Sequence, residues 1–112
     1  MYEQILTLLG LTEEGITEDT EAKINSIISL TSDRLKNRLG GAQEVPEALQ
    51  FVVVEVSVIR FNRIGSEGVS SHTVEGESMS WNQDSDFDAF AEDIEAWLDE
   101  QEGVKRGRLR FL

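Results

Sequence analysis

The chain has 112 residues, with 22 Asp and Glu against 10 Lys and Arg, so a formal charge of -12 rests on one domain's worth of sequence. Hydrophobic residues make up 39%, and with nine glycines counted the share reaches the ordinary globular range of about 45–50%, which argues against wholesale disorder. With no cysteine the chain has no disulfide framework, zinc-thiolate site or thiol nucleophile, as expected of a protein made in a reducing cytoplasm.

The longest unbroken apolar run is Phe51 to Val54, closed by Glu55, and the opening MYEQILTLLG has an acid where a signal peptide has basic residues. No membrane crossing or unaided membrane entry is expected. The charge repels phosphate and anionic lipid, so any nucleic-acid contact needs a local exception, and Val104 to Leu112 (VKRGRLRFL) is one.

Tyr2, Ile5, Leu6 and Leu9 share one face of a short helix over 2–9, which Gly10 can end in a left-handed cap. Thr17 caps a second helix over 18–39, with Glu18, Asp19 and Glu21 in its first turn and Arg34, Lys36 and Arg38 towards its end, as the helix dipole favours. Its apolar stripe is Ile24, Ile27, Ile28, Leu35 and Leu39, and Gly40-Gly41 stops it. Pro46 opens a third element over 46–64. Val52, Val53, Val54, Val56 and Val58 suit a buried strand as well as a helix, but a run of about 18 residues exceeds the usual strand of 5 or 6 and predicts a helix.

Wound as a helix, this element is apolar on two sides: Leu49, Val52, Val53, Val56 and Ile59 on one, Phe51, Val54, Val58 and Phe61 on the other. A domain this small has one core to offer. The second face therefore reads either as a subunit or partner contact or as part of a central helix enclosed by its own bundle.

Residues 65–83 (GSEGVSSHTVEGESMSWNQ) are rich in Gly and Ser, and the alternation from Thr73 to Trp81 around Glu75-Gly76 predicts a long loop holding a short β-hairpin within 69–81. Ser85 caps a last helix over 86–102, with Phe87, Phe90, Ala91, Ile94, Trp97 and Leu98 on its stripe and an end near Gly103. The sequence thus predicts a mostly α fold, a small bundle of about four helices. It forms one domain over 1–103 followed by a basic tail over 104–112, which holds four of the ten basic residues and is expected to be disordered when free.

No pattern supports catalysis. The single histidine, His72, lies in the Gly/Ser loop with nothing to orient Ser70, Ser71 or an acid beside it, and a nucleophile needs both a base and an orienting group. Asp84, Asp86, Asp88 and Glu95 imitate a calcium loop, but Ala89 stands where that loop needs Gly and a helical stripe runs through it, so the acids read as helix N-terminal charge and no metal is assigned. Gly65 to Gly68 (GSEG) lacks the Lys-Ser/Thr of a phosphate loop. No cofactor is expected.

The stretch VPEALQFVVVEVSVIRFNRIGSEGVSSHTVEGESMSW, and the order of parts around it, resembles the small head-to-tail connector (head completion or adaptor) proteins of tailed bacteriophages and prophages of Gram-positive bacteria. A short helix, a long helix ending in basic residues, a Pro-initiated apolar helix ending in an Arg-Asn-Arg-like run, a Gly/Ser loop and a final acidic helix follow one another as in that family. The resemblance implies a non-enzymatic virion protein, made in the host cytoplasm. It would assemble as a homo-oligomeric ring, commonly of twelve copies, beneath the portal at the head-tail junction. The ring extends the DNA channel without binding DNA specifically and joins the capsid to the stopper or tail-completion protein. It further implies that the tail residues Lys105, Arg106, Arg108, Leu109, Arg110 and Phe111 dock on the portal. The rival reading, from another class, is an acidic helical inhibitor or DNA mimic whose carboxylates fill the basic site of a nucleic-acid enzyme.

Overall fold

The computed structural model describes residues 1–67 and 83–110, with side chains over 1–64 and 83–103. Among these residues the chain forms four α-helices and no strand: α1 (Tyr2–Leu9), α2 (Glu18–Arg38), α3 (Gln50–Glu67) and α4 (Ala91–Arg110). A 3₁₀ turn, Glu47–Leu49, leads into α3, and a 3₁₀ stretch, Asp84–Phe90, leads into α4. The hairpin expected within 69–81 lies outside the described residues, as does His72. No helix among the described residues is long and apolar enough to cross a membrane.

Local chemistry sets the helix ends. Gly10 takes the left-handed conformation at φ 72°, and the Leu11 amide then returns to the Leu6 carbonyl at 2.9 Å. At the start of α2 the Thr17 hydroxyl accepts the Thr20 amide at 3.1 Å, satisfying one of the donors a helix start leaves free. The far end of α2 closes at Gly40 and Gly41, φ 82° and 86°, with the Gly41 and Ala42 amides both returned to the Lys36 carbonyl.

α3 is the central helix and has a core on each side. Leu49, Val52, Val53 and Val56 pack with Leu35 and Leu39 of α2 and with Phe87, Phe90 and Ile94. On its other side Val54 packs with Ile24 of α2 and with Ile5 and Leu6 of α1, with Val58 and Phe61 half-buried against the same cluster. This two-sided burial explains a composition that reads equally well as a buried strand.

Five boundaries or positions depart from the sequence expectation. The first turn after Pro46 is 3₁₀ rather than α, and α3 runs on through Gly65 to Glu67. Ile59, placed by the sequence on the buried stripe, is 42% exposed, because the stripe steps from Val56 by four residues and buries Arg60 instead. Ser85 does not cap a helix. Its hydroxyl meets the Gln83 side chain at 3.3 Å, the 3₁₀ stretch starts at Asp84, and regular α geometry begins at Ala91. Finally, α4 does not stop near Gly103 but continues through Gly103 and Gly107 to Arg110, so the backbone of most of the expected disordered tail is helical. A glycine in a helix costs about 1 kcal/mol relative to alanine, which weakens a helix without forbidding it.

Candidate assembly surface

Four arginines and two aspartates join the start of the C-terminal segment to the bundle. Arg60 on α3 has no exposed surface, and each nitrogen of its guanidinium has a different acceptor. Nε donates to Asp86 Oδ2 at 3.0 Å, Nη1 to the Thr31 hydroxyl at 3.2 Å and Nη2 to the Gln83 carbonyl at 3.1 Å. Arg63, three residues on and thus on the same face of α3, donates to both oxygens of Asp86, at 3.0 and 2.7 Å. The Phe87 ring lies beneath two guanidiniums, with Arg38 at 5.0 Å and Arg60 at 5.4 Å from its centroid. At the rim Arg38 donates to the Asp84 carbonyl at 2.8 Å, and Arg34 pairs with the Asp84 carboxylate at 3.4 Å.

Burial pushes the Asp86 carboxyl up, and hydrogen bonds from Arg63 and Arg60 more than reverse this, so its pKa lies below the ordinary carboxylate value. Burial pulls Arg60 below its usual value, against the opposing pull of Asp86. The arrangement is structural. The lone pairs of Asp86 are taken by arginine, and no group of three His, Cys, Asp or Glu among the described residues could hold a metal. Reading the Asp84, Asp86, Asp88 pattern as solvated helix-start charge is therefore corrected for Asp86, whose side chain is 5% exposed. The consequence is positional: Arg63 lies one turn before the end of α3, so the last turns of α3 are held beside Gln83 to Phe87.

Of the residues expected at a subunit contact, Val54 is 5% exposed and packs with α1, and Val58 and Phe61 are half-buried beside it. α1 thus covers part of the face that the sequence leaves spare. Phe51 differs. It is 41% exposed, with its ring edge-on to Phe90 at 6.0 Å. Among the described residues, Leu8, Leu30 and Ile59 are the other large apolar side chains of the helices left more than 40% exposed.

Phe51 borders a shallow apolar region centred on Trp97 of α4. Around this indole lie a depression of 580 Å³ against Ala42, Gln43, Glu44 and Pro46, a second against Phe51, Asp93 and Glu100, and a third against Leu39 and Leu98. The apolar floor thus has acidic residues at its edges. Lys105, Arg106, Arg108, Leu109 and Arg110 sit on the helical backbone of α4 beyond this region, and Phe111 lies outside the described residues.

Sequence reasoning missed the Arg60 centre. One signal was available: an arginine four residues after Val56, at the next position of a buried stripe, calls for an acidic partner elsewhere.

A small helical bundle whose buried polar centre fastens chain segments together defines the class of fold. The particular family follows from its sequence: residues 3–97 match the family described as Phage gp6-like head-tail connector protein, and the chain belongs to it. Membership makes the chain a structural, non-enzymatic protein of the phage head-tail connection. No curated protein and no solved structure matches it.

Proposed function

We propose that the chain is the repeating subunit of a ring, of about twelve copies in the virion, that lies beneath the portal, extends the DNA channel and receives the stopper or tail-completion protein. The observation that carries this reading is the family match, which spans all four helices up to Trp97. The charge of -12 fits a channel wall that DNA slides past. The exposed Phe51 and the region around Trp97 supply apolar surface for contact between proteins. Synthesis takes place in the bacterial host cytoplasm, and the finished location is the head-tail junction of the virion.

In this reading residues 104–112 are a docking segment, whose four basic residues oppose the charge of the rest of the chain. The resemblance names the portal as its receiver.

The test is electron microscopy of the cognate portal mixed with purified chain. Coaxial density with a constant subunit number below the portal is expected. Bare portals at saturating chain concentration would rule the reading out.

A further inference from the structure

We propose that the groove around Trp97 receives residues 104–112 of a second copy of this chain, so that each subunit grips the next in one direction. The inference rests on the ring reading above and names the contact that would build the ring.

Three observations converge. The first is charge. All 22 acidic residues precede Val104 and four of the ten basic residues follow it, so the segment opposes the rest of the chain in sign. The groove has Glu44, Asp93 and Glu100 at its edges, all three exposed. A basic segment is attracted there, whereas an acidic or neutral one gains nothing from the rim.

The second is the apolar content. Trp97 is shared by the adjoining depressions, with Phe51 lining one and Leu39 and Leu98 another, and the segment carries Leu109, Phe111 and Leu112 among its charges. Tryptophan at the centre of a patch whose edges are charged is the usual composition of a binding hot spot.

The third is reach. α4 is continuous from Ala91 to Arg110, and thirteen residues of helix carry the chain about 20 Å from Trp97. Gln101 and Glu102 still border the depression beside Leu39, and the basic residues follow beyond them. A subunit therefore holds its own basic segment away from its own groove, and a groove of this kind is filled from another copy. Donor surface and acceptor surface differ, so the contact is head-to-tail, the type that closes into a ring when the rotation per step permits.

The experiment uses the full chain and exchanged charges. Sedimentation velocity at low salt is run on the wild type, on a groove variant Asp93→Lys with Glu100→Lys, on a segment variant Arg106→Glu with Arg108→Glu, and on the chain carrying all four changes. The wild type is expected to self-associate with rising concentration. Each double variant should associate at least tenfold more weakly, and the quadruple variant should recover. A peptide of residues 104–112 should also shift Trp97 fluorescence in a Trp81→Phe chain, and the shift should vanish in the groove variant. Circular dichroism unchanged from wild type keeps loss of association separate from loss of folding.

Association unaffected by either double variant, or absent in the wild type together with no response to the peptide, overturns the proposal. So does a segment variant that fails only in binding the portal, because the segment then belongs to that contact. The same variants are imaged on the portal. Rings that form there with both double variants overturn the groove contact and leave the ring reading standing. Failure of the wild type to form any ring removes the ring reading itself.

Discussion

A buried arginine is stable only while its acceptors stay in place, and Arg60 depends on groups from three parts of the chain: Thr31, Gln83 and Asp86. Removing one partner of a buried ion pair leaves the other charge uncompensated, so Asp86→Ala is expected to cost about 3–5 kcal/mol, measured by denaturant unfolding at neutral pH. The pH dependence follows from the depressed Asp86 pKa. A carboxyl whose folded pKa lies below its unfolded value stabilises the fold fully above that unfolded value, near 4. The contribution is lost as pH falls through the folded pKa. The stability gap between wild type and Asp86→Ala should therefore be widest at neutral pH and narrow below pH of about 4. Comparing the two proteins cancels the general loss of self-repulsion as the other carboxylates protonate. A gap that stays constant into strong acid would show that Asp86 acts by packing rather than charge. Little of this centre was legible in the sequence. Arg60 and Asp86 are 26 residues apart, and ion pairing over that separation leaves no periodic trace.

At the scale of elements, the helices were legible from their apolar stripes, and some of their ends from capping residues. Thr17 and Gly10 perform the roles their chemistry predicts. What periodicity could not decide was what covers the second face of α3, since an apolar stripe looks the same whether α1 or another subunit lies on it. Burial now separates the residues of that stripe. Val54→Asp places a carboxylate between Ile5, Leu6 and Ile24 and should unfold the isolated chain or cost several kcal/mol, as expected for an unpaired buried charge. Phe51→Ala, at 41% exposure, should leave the circular dichroism unchanged and lower the melting temperature only slightly, while weakening any contact through the Trp97 region. Equal effects of the two substitutions on folding would mean that Phe51 is ordinary core. The end of α4 was misjudged for a different reason. Glycine is a frequent stop signal, but its cost of about 1 kcal/mol is set against the hydrogen bonds of a helix already formed on its N-terminal side.

For the whole molecule the deciding quantity is the distribution of charge, which is wholly legible in the sequence: acids through residue 102, and from Lys105 a basic segment with no acid in it. A ring of such subunits presents DNA with carboxylates of its own sign, and within a Debye length of about 8 Å at physiological salt the duplex is held off the wall rather than bound. The isolated chain should then show no measurable duplex binding in a mobility-shift assay at physiological salt. The one route to binding is the cluster of Lys105, Arg106, Arg108 and Arg110. If those four side chains neutralised four phosphates, the logarithm of the binding constant would fall against the logarithm of salt with a slope of about -3.6. A shift seen at 50 mM salt and lost by 200 mM with that slope, and abolished by Arg106→Glu with Arg108→Glu, would make residues 104–112 a DNA contact and sink the sliding-wall reading. Absence of binding at both salts is the expected result. The acids that precede the segment repel the same phosphates its arginines would attract, and an acidic protein surface is the better counterpart for them.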